Sequence, residues 1–328
     1  MESLSFIKVL PVAFESLGVR SMCTYVETPD IKVLLDAGVS LCPNRYGFPP
    51  HPKEYKALRD CRNRILELAE KADVVTVSHY HFDHHTPSFT DWVNHWSSAE
   101  IAEKTYAGKI VFAKSYKSKI NPSQRQRGWM FHKTAGKKAA RLEFADSRTF
   151  KFEETTIKFS VPVCHGEEGS ELGWVLMITI EHKKERILFA PDVQGPMSNQ
   201  TAKLILEEKP TLAIIGGPPV YLVEYKVSPE KIKSAMLNFE TIIENVPVTI
   251  FDHHILRDEN WMKTAQSSIA KALDLGHRIL TAAEYAGEKT NLLEAHRKTL
   301  YETEPPPQEF MEWTKIPLQE RKRVIPPI

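Results

Sequence analysis

The sequence SHYHFDHH, residues 78–85, directly follows the apolar run VVTV. Side chains of a strand alternate between its two faces, so His79 and His81 point the same way if the strand geometry continues through them. Asp83 and His84 follow in the turn where the chain reverses, and they can face a second position. Imidazole nitrogens and carboxylate oxygens are ordinary ligands of zinc in proteins. The pattern HxHxDH therefore predicts a metal site directly after a buried strand.

Further residues of metal-ligand type follow later apolar runs. His165 follows SVPVC, Asp192 follows ILFAP, and the pair His253–His254 ends VPVTIFDHH. Taken singly, each is also typical of an ordinary strand end or turn. The same holds for the earlier Asp36, which lies close to a glycine in VLLDAG and fits plain turn chemistry. Their shared position at strand ends, and their order along the chain, favour a common site.

These segments together resemble the metallo-β-lactamase-fold hydrolase superfamily. Its signature is HxHxDH after a strand, followed by a distant His, a distant Asp and a final His. The resemblance implies an α/β fold, an αββα sandwich of two mixed sheets flanked by helices. It also implies that Asp36 supports the ligand loop without binding metal.

The resemblance further implies two divalent metal ions per chain. The first ion would be held by three histidines: His79, His81 and His165. The second would be held by Asp83, His84 and one histidine of the pair at 253–254, with Asp192 bridging both ions. Spacing does not settle which histidine of the pair binds. We favour His253, which comes first after the strand, and His254 is then a candidate substrate contact.

More specifically, VLLDAGVSLCPNRYGFPPHP, HFDHHTP, NPSQRQRG and FDHHILRD look like an uncharacterised group of archaeal-type predicted hydrolases within that superfamily. This resemblance spans nearly the whole chain and implies no particular substrate. The DHH triplets at 83–85 and 252–254 also mark a different phosphoesterase family, whose sites are rich in aspartate. The HxH before Asp83 and the lone His165 fit the first family better.

The chemistry that the resemblance implies is hydrolysis by a metal-activated water. Two metal ions about 3.5–4 Å apart lower the pKa of a water held between them towards neutrality. Asp83 and Asp192 are the candidate catalytic residues, because one can orient the nucleophile and the other can bridge the ions. A histidine-rich site favours Zn²⁺, while Mn²⁺ or Fe²⁺ also fits these ligand types. A GxSxG serine motif and a P-loop are both absent from the sequence.

The charge of the chain is unevenly distributed. The whole chain carries a net charge of +1, yet residues 103–142 contain eleven Lys or Arg and one acidic residue, so that the segment carries +10 and the remainder −9. Interleaved aromatic residues make this segment suitable for phosphate contact and base stacking. A solvated basic face that pairs with acidic helices elsewhere in the chain remains an equally open interpretation.

Five residues are the candidates for substrate binding. Arg125 and Arg127, within NPSQRQRG, can grip a phosphate or carboxylate through their forked guanidinium groups. Gly217 follows a buried strand, where the lack of a side chain lets the backbone approach a ligand. His254 and Arg257, three residues further on, complete the set. A plain turn explains Gly217 as readily, and a surface position explains Arg257 more readily than substrate binding.

The organisation of the chain is predicted to be a single domain over residues 1–328. It would carry a basic insertion at about 103–142 and a Pro-rich tail from about 304 that is extended or partly disordered. Apolar periodicity predicts helices over 52–73 and 228–245, with further helical patterns over about 262–275 and 282–302. The sequence has no apolar run of bilayer length, no secretory signal pattern and no paired cysteine motif, which predicts a cytoplasmic protein.

The leading functional hypothesis is a phosphodiesterase or nuclease-type activity on an anionic substrate. That substrate would be a nucleic acid or a phosphorylated small molecule, and no membrane is expected as a partner. A lactonase or thioesterase-type hydrolase of a carboxylic derivative shares the same metal site. A third hypothesis is a nucleic-acid-binding protein with a non-catalytic metal site. The sequence leaves the oligomeric state open.

Overall fold

The computed structural model describes residues 4–223 and 225–328, which contain the following strands and helices. The strands are β1 (Lys8–Phe14), β2 (Met22–Glu27), β3 (Lys32–Leu35), β4 (Val74–Val77), β5 (Ile110–Ala113), β6 (Arg141–Phe144), β7 (Thr149–Phe152), β8 (Thr155–Phe159), β9 (Val163–Cys164), β10 (Trp174–Val175), β11 (Ile178–His182), β12 (Glu185–Ala190), β13 (Leu212–Gly216), β14 (Val248–Asp252) and β15 (Arg278–Leu280). The α-helices are α1 (Pro52–Lys71), α2 (Ala99–Tyr106), α3 (Pro122–Lys133), α4 (Asn199–Glu208), α5 (Pro229–Ile243), α6 (Trp261–Asp274), α7 (Ala282–Tyr285), α8 (Arg297–Thr303), α9 (Gln308–Lys315) and α10 (Leu318–Arg321).

Two large sheets contain both parallel and antiparallel pairs. The first has the strand order β1-β2-β3-β4-β5-β6, antiparallel from β1 to β3 and parallel from β3 to β6. The second has the order β15-β14-β13-β12-β11-β8-β7, parallel from β15 to β12 and antiparallel beyond. The short strands β9 and β10 pair with each other. The predicted mixed α/β architecture is confirmed.

Apolar side chains of both large sheets form the central layer. Phe14 and Phe112 of the first sheet lie in one buried cluster with Phe159 and Ile214 of the second. The outer face of the first sheet packs on α1 and α2, and that of the second packs on α4, α5 and α6. Each sheet is therefore covered on both faces, as expected for strands that are apolar along their whole length.

The carboxyl ends of several strands bring the candidate site residues together. In the first sheet, β3 and β4 run parallel, so Asp36 and the loop of residues 78–85 leave the sheet at the same edge. In the second sheet, β12 and β14 are parallel to β13, and they lead to Asp192 and His253. Ligand sites of open α/β sheets form at such carboxyl ends of strands.

The C-terminal part differs from the expectation of an extended or disordered tail. Residues from Gln308 onward form α9 and α10. Phe310 is fully buried and Trp313 is 5% exposed, and both rings contact Tyr55 of α1, with ring centroids 5.7 and 5.4 Å apart. The prolines before α9 led to the expectation of an extended chain. The helix is stabilised instead by an apolar face that Phe310 and Trp313, three positions apart, provide.

The helical pattern over 282–302 is also broken in the structure. It separates into α7 and α8, and residues 286–296 between them are not helical. Gly287 has φ +72°, a left-handed conformation that ends a helix. The other predicted helices agree with α1, α5 and α6 to within a few residues. No helix in the part of the chain described is long and apolar enough to cross a membrane.

Replacing Phe310 with Ala tests whether the tail helix stabilises the fold. We expect the free energy of unfolding to fall by about 3–5 kcal/mol, because a buried aromatic ring is lost and leaves a cavity against α1. Urea denaturation of the purified protein measures this change. Met311→Ala is the matched control, since Met311 is 39% exposed and its loss should change stability by no more than about 0.5 kcal/mol. Equal effects of the two substitutions would contradict the buried packing of α9.

Candidate metal centre

Asp192 is the centre around which the predicted ligand residues gather. Its side chain is buried, and Oδ2 lies 3.0 Å from Nε2 of both His79 and His165. The same oxygen lies 3.2 Å from Nε2 of His84 and 3.8 Å from Nδ1 of His81. Residues from two sheets, more than 100 positions apart in sequence, thus meet at one carboxylate.

Several nitrogen atoms of these histidines are buried close to Asp192 without the geometry of a hydrogen bond. Nε2 of His79, His84, His165 and His253 is buried and makes no hydrogen bond within the described chain. Two ligands at about 2.1 Å from one tetrahedral metal ion lie about 3.4 Å apart, which is close to the nitrogen–oxygen distances around Asp192. Buried polar atoms are normally satisfied. This donor set therefore fits a metal centre better than an ordinary polar core.

The ligand-type side chains fall into overlapping groups. His79, His81, His165 and Asp192 form one group whose ligand atoms all lie within 4.8 Å of one another. A second group of this kind contains Asp83, His84 and His253, and a third contains Asp192 with both histidines of the 253–254 pair. A further group contains Asp36, His79 and His84. The first two groups agree with the predicted ligand sets apart from the bridging Asp192 in the second, and which residues bind an ion stays a prediction.

His253 and His254 occupy different positions beside Asp192. Their Nε2 atoms lie 2.7 and 3.0 Å from Oδ1 of that aspartate. Only His253 also belongs to the group with Asp83 and His84. His253 is fully buried, whereas the His254 side chain is 13% exposed and its Nδ1 lies 2.9 Å from Nη1 of Arg257. The geometry favours His253 as ligand and leaves His254 facing the open side.

Asp36 holds the ligand loop, as the resemblance implied. Its carboxylate accepts hydrogen bonds from the Ser78 backbone amide at 2.8 Å and from His84 Nδ1 at 2.9 Å. Because Nδ1 of His84 is engaged in this way, its Nε2 is aimed at Asp192. A carboxylate behind a histidine fixes the ring and raises its basicity as a ligand. Gly38 is required beside this loop, since a Cβ atom would lie 2.3 Å from the His85 amide nitrogen.

Glu15 plays the same part for His253, and the sequence interpretation did not identify it. Its Oε2 accepts from His253 Nδ1 at 2.8 Å and its Oε1 accepts from Arg257 Nε at 2.7 Å. Glu15 is only 4% exposed. It directly follows β1, so the strand-end criterion that singled out the other site residues would also have found it.

Gln124 is a second residue that the sequence interpretation missed. Its Nε2 lies 3.4 Å from His81 Nε2 and donates to the Leu172 carbonyl at 2.8 Å, while its Oε1 accepts from the Tyr80 amide. Gln124 lies in α3, which approaches closely because Gly128 packs against Tyr80, where a Cβ atom would be 2.6 Å from the ring. It stands beside the two arginines that had drawn attention to NPSQRQRG.

Burial favours the neutral form of three imidazoles of the site. It lowers the pKa of His79 and His254 well below the usual range and also lowers that of His81. Neutral imidazole is the form that binds a metal ion. Burial also acts on Asp192, but the nearby His165, His253 and His84 outweigh it and hold the pKa of this carboxyl well below its usual range.

The acidic groups favour positive charge at two of the histidines. Burial opposes protonation of His253, yet Glu15 and Asp192 raise its pKa to about 9. Burial likewise opposes protonation of His84, while Asp192 and Asp36 raise its pKa well above the usual range. The field that stabilises a proton at these positions also stabilises a divalent cation.

Arg125 and Arg127 do not converge on one ligand. They lie two positions apart in α3, so they project about 200° apart around the helix axis. Arg127 is partly buried with its guanidinium 4.5 Å from the centroid of the Phe82 ring. Arg125 is exposed and borders a separate open groove with Tyr116 and Trp129. Of the two, the structure places Arg127 next to the HxHxDH loop.

Gly217 and Arg257 have structural partners that the sequence did not show. Gly217 is buried, and a Cβ atom there would lie 2.5 Å from Ile255. Arg257 is 3% exposed and bound to Glu15 and, through Nη1, to Tyr221 at 3.2 Å. The surface position considered for Arg257 is thus wrong. Packing accounts for Gly217 and pairing accounts for Arg257, while their roles in substrate binding stay predictions.

The basic segment is partly neutralised within the fold. Lys104, Lys114, Lys138 and Arg141 each pair with a carboxylate, and three of these four acids lie outside residues 103–142. Other basic residues of the segment have no carboxylate within 4.0 Å in the described ranges: Lys109, Lys117, Lys119, Arg125, Arg127, Lys133 and Lys137. The +10 of the sequence therefore overstates the free charge that a ligand would meet.

Comparison with known proteins places the chain among archaeal relatives. No protein-family model matches it. The UPF0282 protein of Methanopyrus kandleri is 41% identical over 294 residues, which cover 90% of this chain and 99% of the relative. The UPF0282 protein of Thermococcus kodakarensis is 42% identical over 298 residues, which cover 91% and 96%. The chain belongs to the UPF0282 family.

A solved structure supports the fold of this UPF0282 chain. The metallo-β-lactamase fold protein YhfI from Bacillus subtilis matches it with a TM-score of 0.51 and 13% identity, over 88% of this chain and 98% of that chain. The strand order and helical layers described above are thus those of the metallo-β-lactamase fold. The predicted metallo-β-lactamase fold and the predicted likeness to an uncharacterised archaeal group are both confirmed.

The His253–His254 pair can be resolved by substituting each histidine in turn. We expect His253→Ala to reduce the number of Zn²⁺ ions bound per chain, because only His253 groups with Asp83 and His84. His254→Ala should keep the full number. Elemental analysis after dialysis against Zn²⁺ measures both, and the exposed His296→Ala is the control. Loss of metal from His254→Ala alone would reverse the assignment.

Glu15→Gln tests the carboxylate behind His253. Replacing a carboxylate that supports a ligand histidine typically lowers metal affinity about 10- to 100-fold, and we expect a decrease of that size. Competition with a fluorescent Zn²⁺ chelator gives the dissociation constant. Glu27→Gln, an exposed carboxylate of β2, controls for loss of charge. An unchanged affinity in Glu15→Gln would show that Glu15 serves only to pair with Arg257.

Proposed function

We propose that the chain is a metal-dependent hydrolase, and that its substrate is a phosphodiester or a related phosphoester. The observation that carries the proposal is the crowding of several buried imidazole nitrogens around the single carboxylate of Asp192, without the geometry of ordinary hydrogen bonds. One carboxylate cannot satisfy so many buried ring nitrogens, so this arrangement is costly as ordinary packing. The metallo-β-lactamase fold supports this proposal only because its strand ends bring these residues together.

The ligand sets of the proposal share one aspartate. One set comprises His79, His81, His165 and Asp192, and the other comprises Asp83, His84, His253 and Asp192. Divalent ions bound there would supply Lewis acidity and lower the pKa of a bound water. Zn²⁺ is our first choice because the sets are rich in imidazole, and Mn²⁺ or Fe²⁺ also suits the mixture of nitrogen and oxygen.

Asp83 is the candidate for orienting the attacking water. Its side chain is 18% exposed, whereas that of Asp192 is 2% exposed. Burial favours the neutral acid, but His84 and His253 outweigh it and hold the pKa of Asp83 below its usual range. An ionised carboxylate at the open side of the site can accept a hydrogen bond from water and so orient it. Asp36 and Glu15 keep the surrounding rings in place.

The choice of phosphoester rests on the positive charge that remains beside the site. Arg127 has no carboxylate within 4.0 Å in the described ranges and lies next to the HxHxDH loop. A forked guanidinium binds a phosphoryl group through two hydrogen bonds. Because several lysines of the basic segment are already paired, the free charge is local. We therefore favour a small phosphorylated substrate over a nucleic-acid strand, and we propose a cytoplasmic site of action.

A substrate panel tests the proposal. We expect the Zn²⁺-loaded protein to hydrolyse bis(p-nitrophenyl) phosphate faster than a γ-lactone or an acyl thioester, as measured by release of each product. Asp192→Ala should lose at least one ion in elemental analysis and lose turnover, because both ligand sets use this residue. Asp274→Ala, an exposed aspartate of α6, is the control.

Each other outcome points to a named alternative. Rapid lactone or thioester hydrolysis without phosphodiester turnover would support a hydrolase of carboxylic derivatives. Nucleic-acid binding without turnover of any substrate would support a binding protein with a non-catalytic metal site. Retention of two ions per chain by Asp192→Ala would overturn the shared position of Asp192.

A further inference from the structure

A cavity of about 220 Å³ lies between the loop after His81 and helix α3. Its walls come from two short stretches of the chain. The loop contributes Phe82, His85, Thr86, Pro87, Ser88 and Phe89, and α3 with the following residue contributes Gln126, Arg127, Met130, Phe131 and Thr134. None of the predicted metal ligands lines it, so it is a separate compartment beside the metal centre.

The cavity is adjacent to the metal centre through shared residues. Phe82, which forms one wall, stands in sequence between the predicted ligands His81 and Asp83. On the other wall stands Arg127, and one turn earlier in α3, outside the cavity, Gln124 contacts His81. Three residues of helix correspond to about 4.5 Å along its axis. The cavity thus adjoins the ligand loop of the metal centre on both of these sides.

Aromatic and apolar side chains dominate the cavity. The rings of Phe82 and Phe89 meet edge to face with centroids 5.2 Å apart. Phe89 is 45% exposed and Met130 is 47% exposed, so two large apolar side chains stand open at this surface. An apolar cavity of about 150 Å³ in another protein holds a benzene molecule. The cavity beside α3 is large enough for a substituted six-membered ring, and aromatic walls favour such a ring.

Arg127 adds one fixed positive charge to this apolar surface. Its guanidinium stacks on Phe82, and Nη1 lies 3.5 Å from the Tyr80 carbonyl, at the limit of a hydrogen bond. No carboxylate lies within 4.0 Å of it in the described ranges. A partly buried arginine without a counter-ion has lost solvation and gained little in return. An anion bound next to the ring would provide that counter-ion.

We propose that this cavity binds an aromatic or heteroaromatic ring of the substrate while Arg127 binds the anionic group that the ring carries. This inference rests on the proposed hydrolase function and narrows its substrate to an aryl-type phosphoester. The open groove of Arg125 and Trp129 shares only Gln126 with this cavity, so the ring site is assigned to the cavity alone. The cavity takes one ring, whereas a nucleic-acid strand would need a series of such sites.

Binding of two phosphonates tests the inference without any turnover. Phenylphosphonate and methylphosphonate share the same anionic group, so their contacts with metal ions and with Arg127 cancel in the ratio of dissociation constants. We expect the Zn²⁺-loaded protein to bind phenylphosphonate at least about tenfold more tightly, because the ring leaves water for an apolar cavity. Isothermal titration calorimetry measures both constants.

Substitutions assign the two parts of the site. Met130→Trp should fill the cavity and bring the phenyl-to-methyl ratio close to one. Arg127→Ala should weaken both phosphonates and keep the metal content of the unsubstituted protein. Lys263→Ala removes an exposed positive charge from α6 and is the control. If Met130→Trp fails to fold, Phe89→Ala replaces it and should lower the ratio by removing one wall.

The outcomes separate this inference from the proposed function. Phosphodiester turnover with equal affinity for the two phosphonates would overturn the ring site and leave the hydrolase intact. Preference for phenylphosphonate without turnover would support the ring site and contradict the hydrolase. A preference that persists undiminished in both Met130→Trp and Phe89→Ala would place the ring elsewhere and overturn the inference.

Discussion

The buried carboxylate of Asp192 is the constraint on which the architecture of the site depends. Its two oxygens lie within about 3 Å of imidazoles that come from both sheets of the sandwich. A carboxylate in this position is stable only if positive or polarised groups surround it. The two sheets must therefore meet with their ligand-bearing strand ends in register, and the apolar layer between them sets their spacing.

Much of this arrangement follows from local sequence patterns. His79, His165 and Asp192 could be predicted because each is a residue of metal-ligand type that follows an apolar strand. The end of a strand can be recognised in the sequence without knowing what the strand packs against. The same pattern applies to Glu15, which escaped notice because a single glutamate after a strand is common. The family resemblance supplied the grouping of ligands, which no single strand end could show.

Other parts depend on contacts that no local pattern encodes. Helix α3 contacts the ligand loop and Tyr80 more than a broad apolar core, so it has little apolar periodicity. Because this helix was not predicted, Arg125 and Arg127 looked like partners, although they project in different directions. For the same reason Gln124 was not recognised as a neighbour of His81. The tail beyond residue 304 was misjudged for a related reason: its prolines were evident, but the α1 surface that receives Phe310 was not.

The position of Glu15 connects the geometry of the candidate metal centre to the stability of the folded protein. It follows a strand of the first sheet and holds His253 at a strand end of the second, so it ties ligand geometry to the junction between the sheets. A ligand that binds only the folded state adds to stability in proportion to the logarithm of its concentration. If a metal ion binds this site, its scarcity would increase unfolding and degradation, and the abundance of the protein would follow the metal supply of its host.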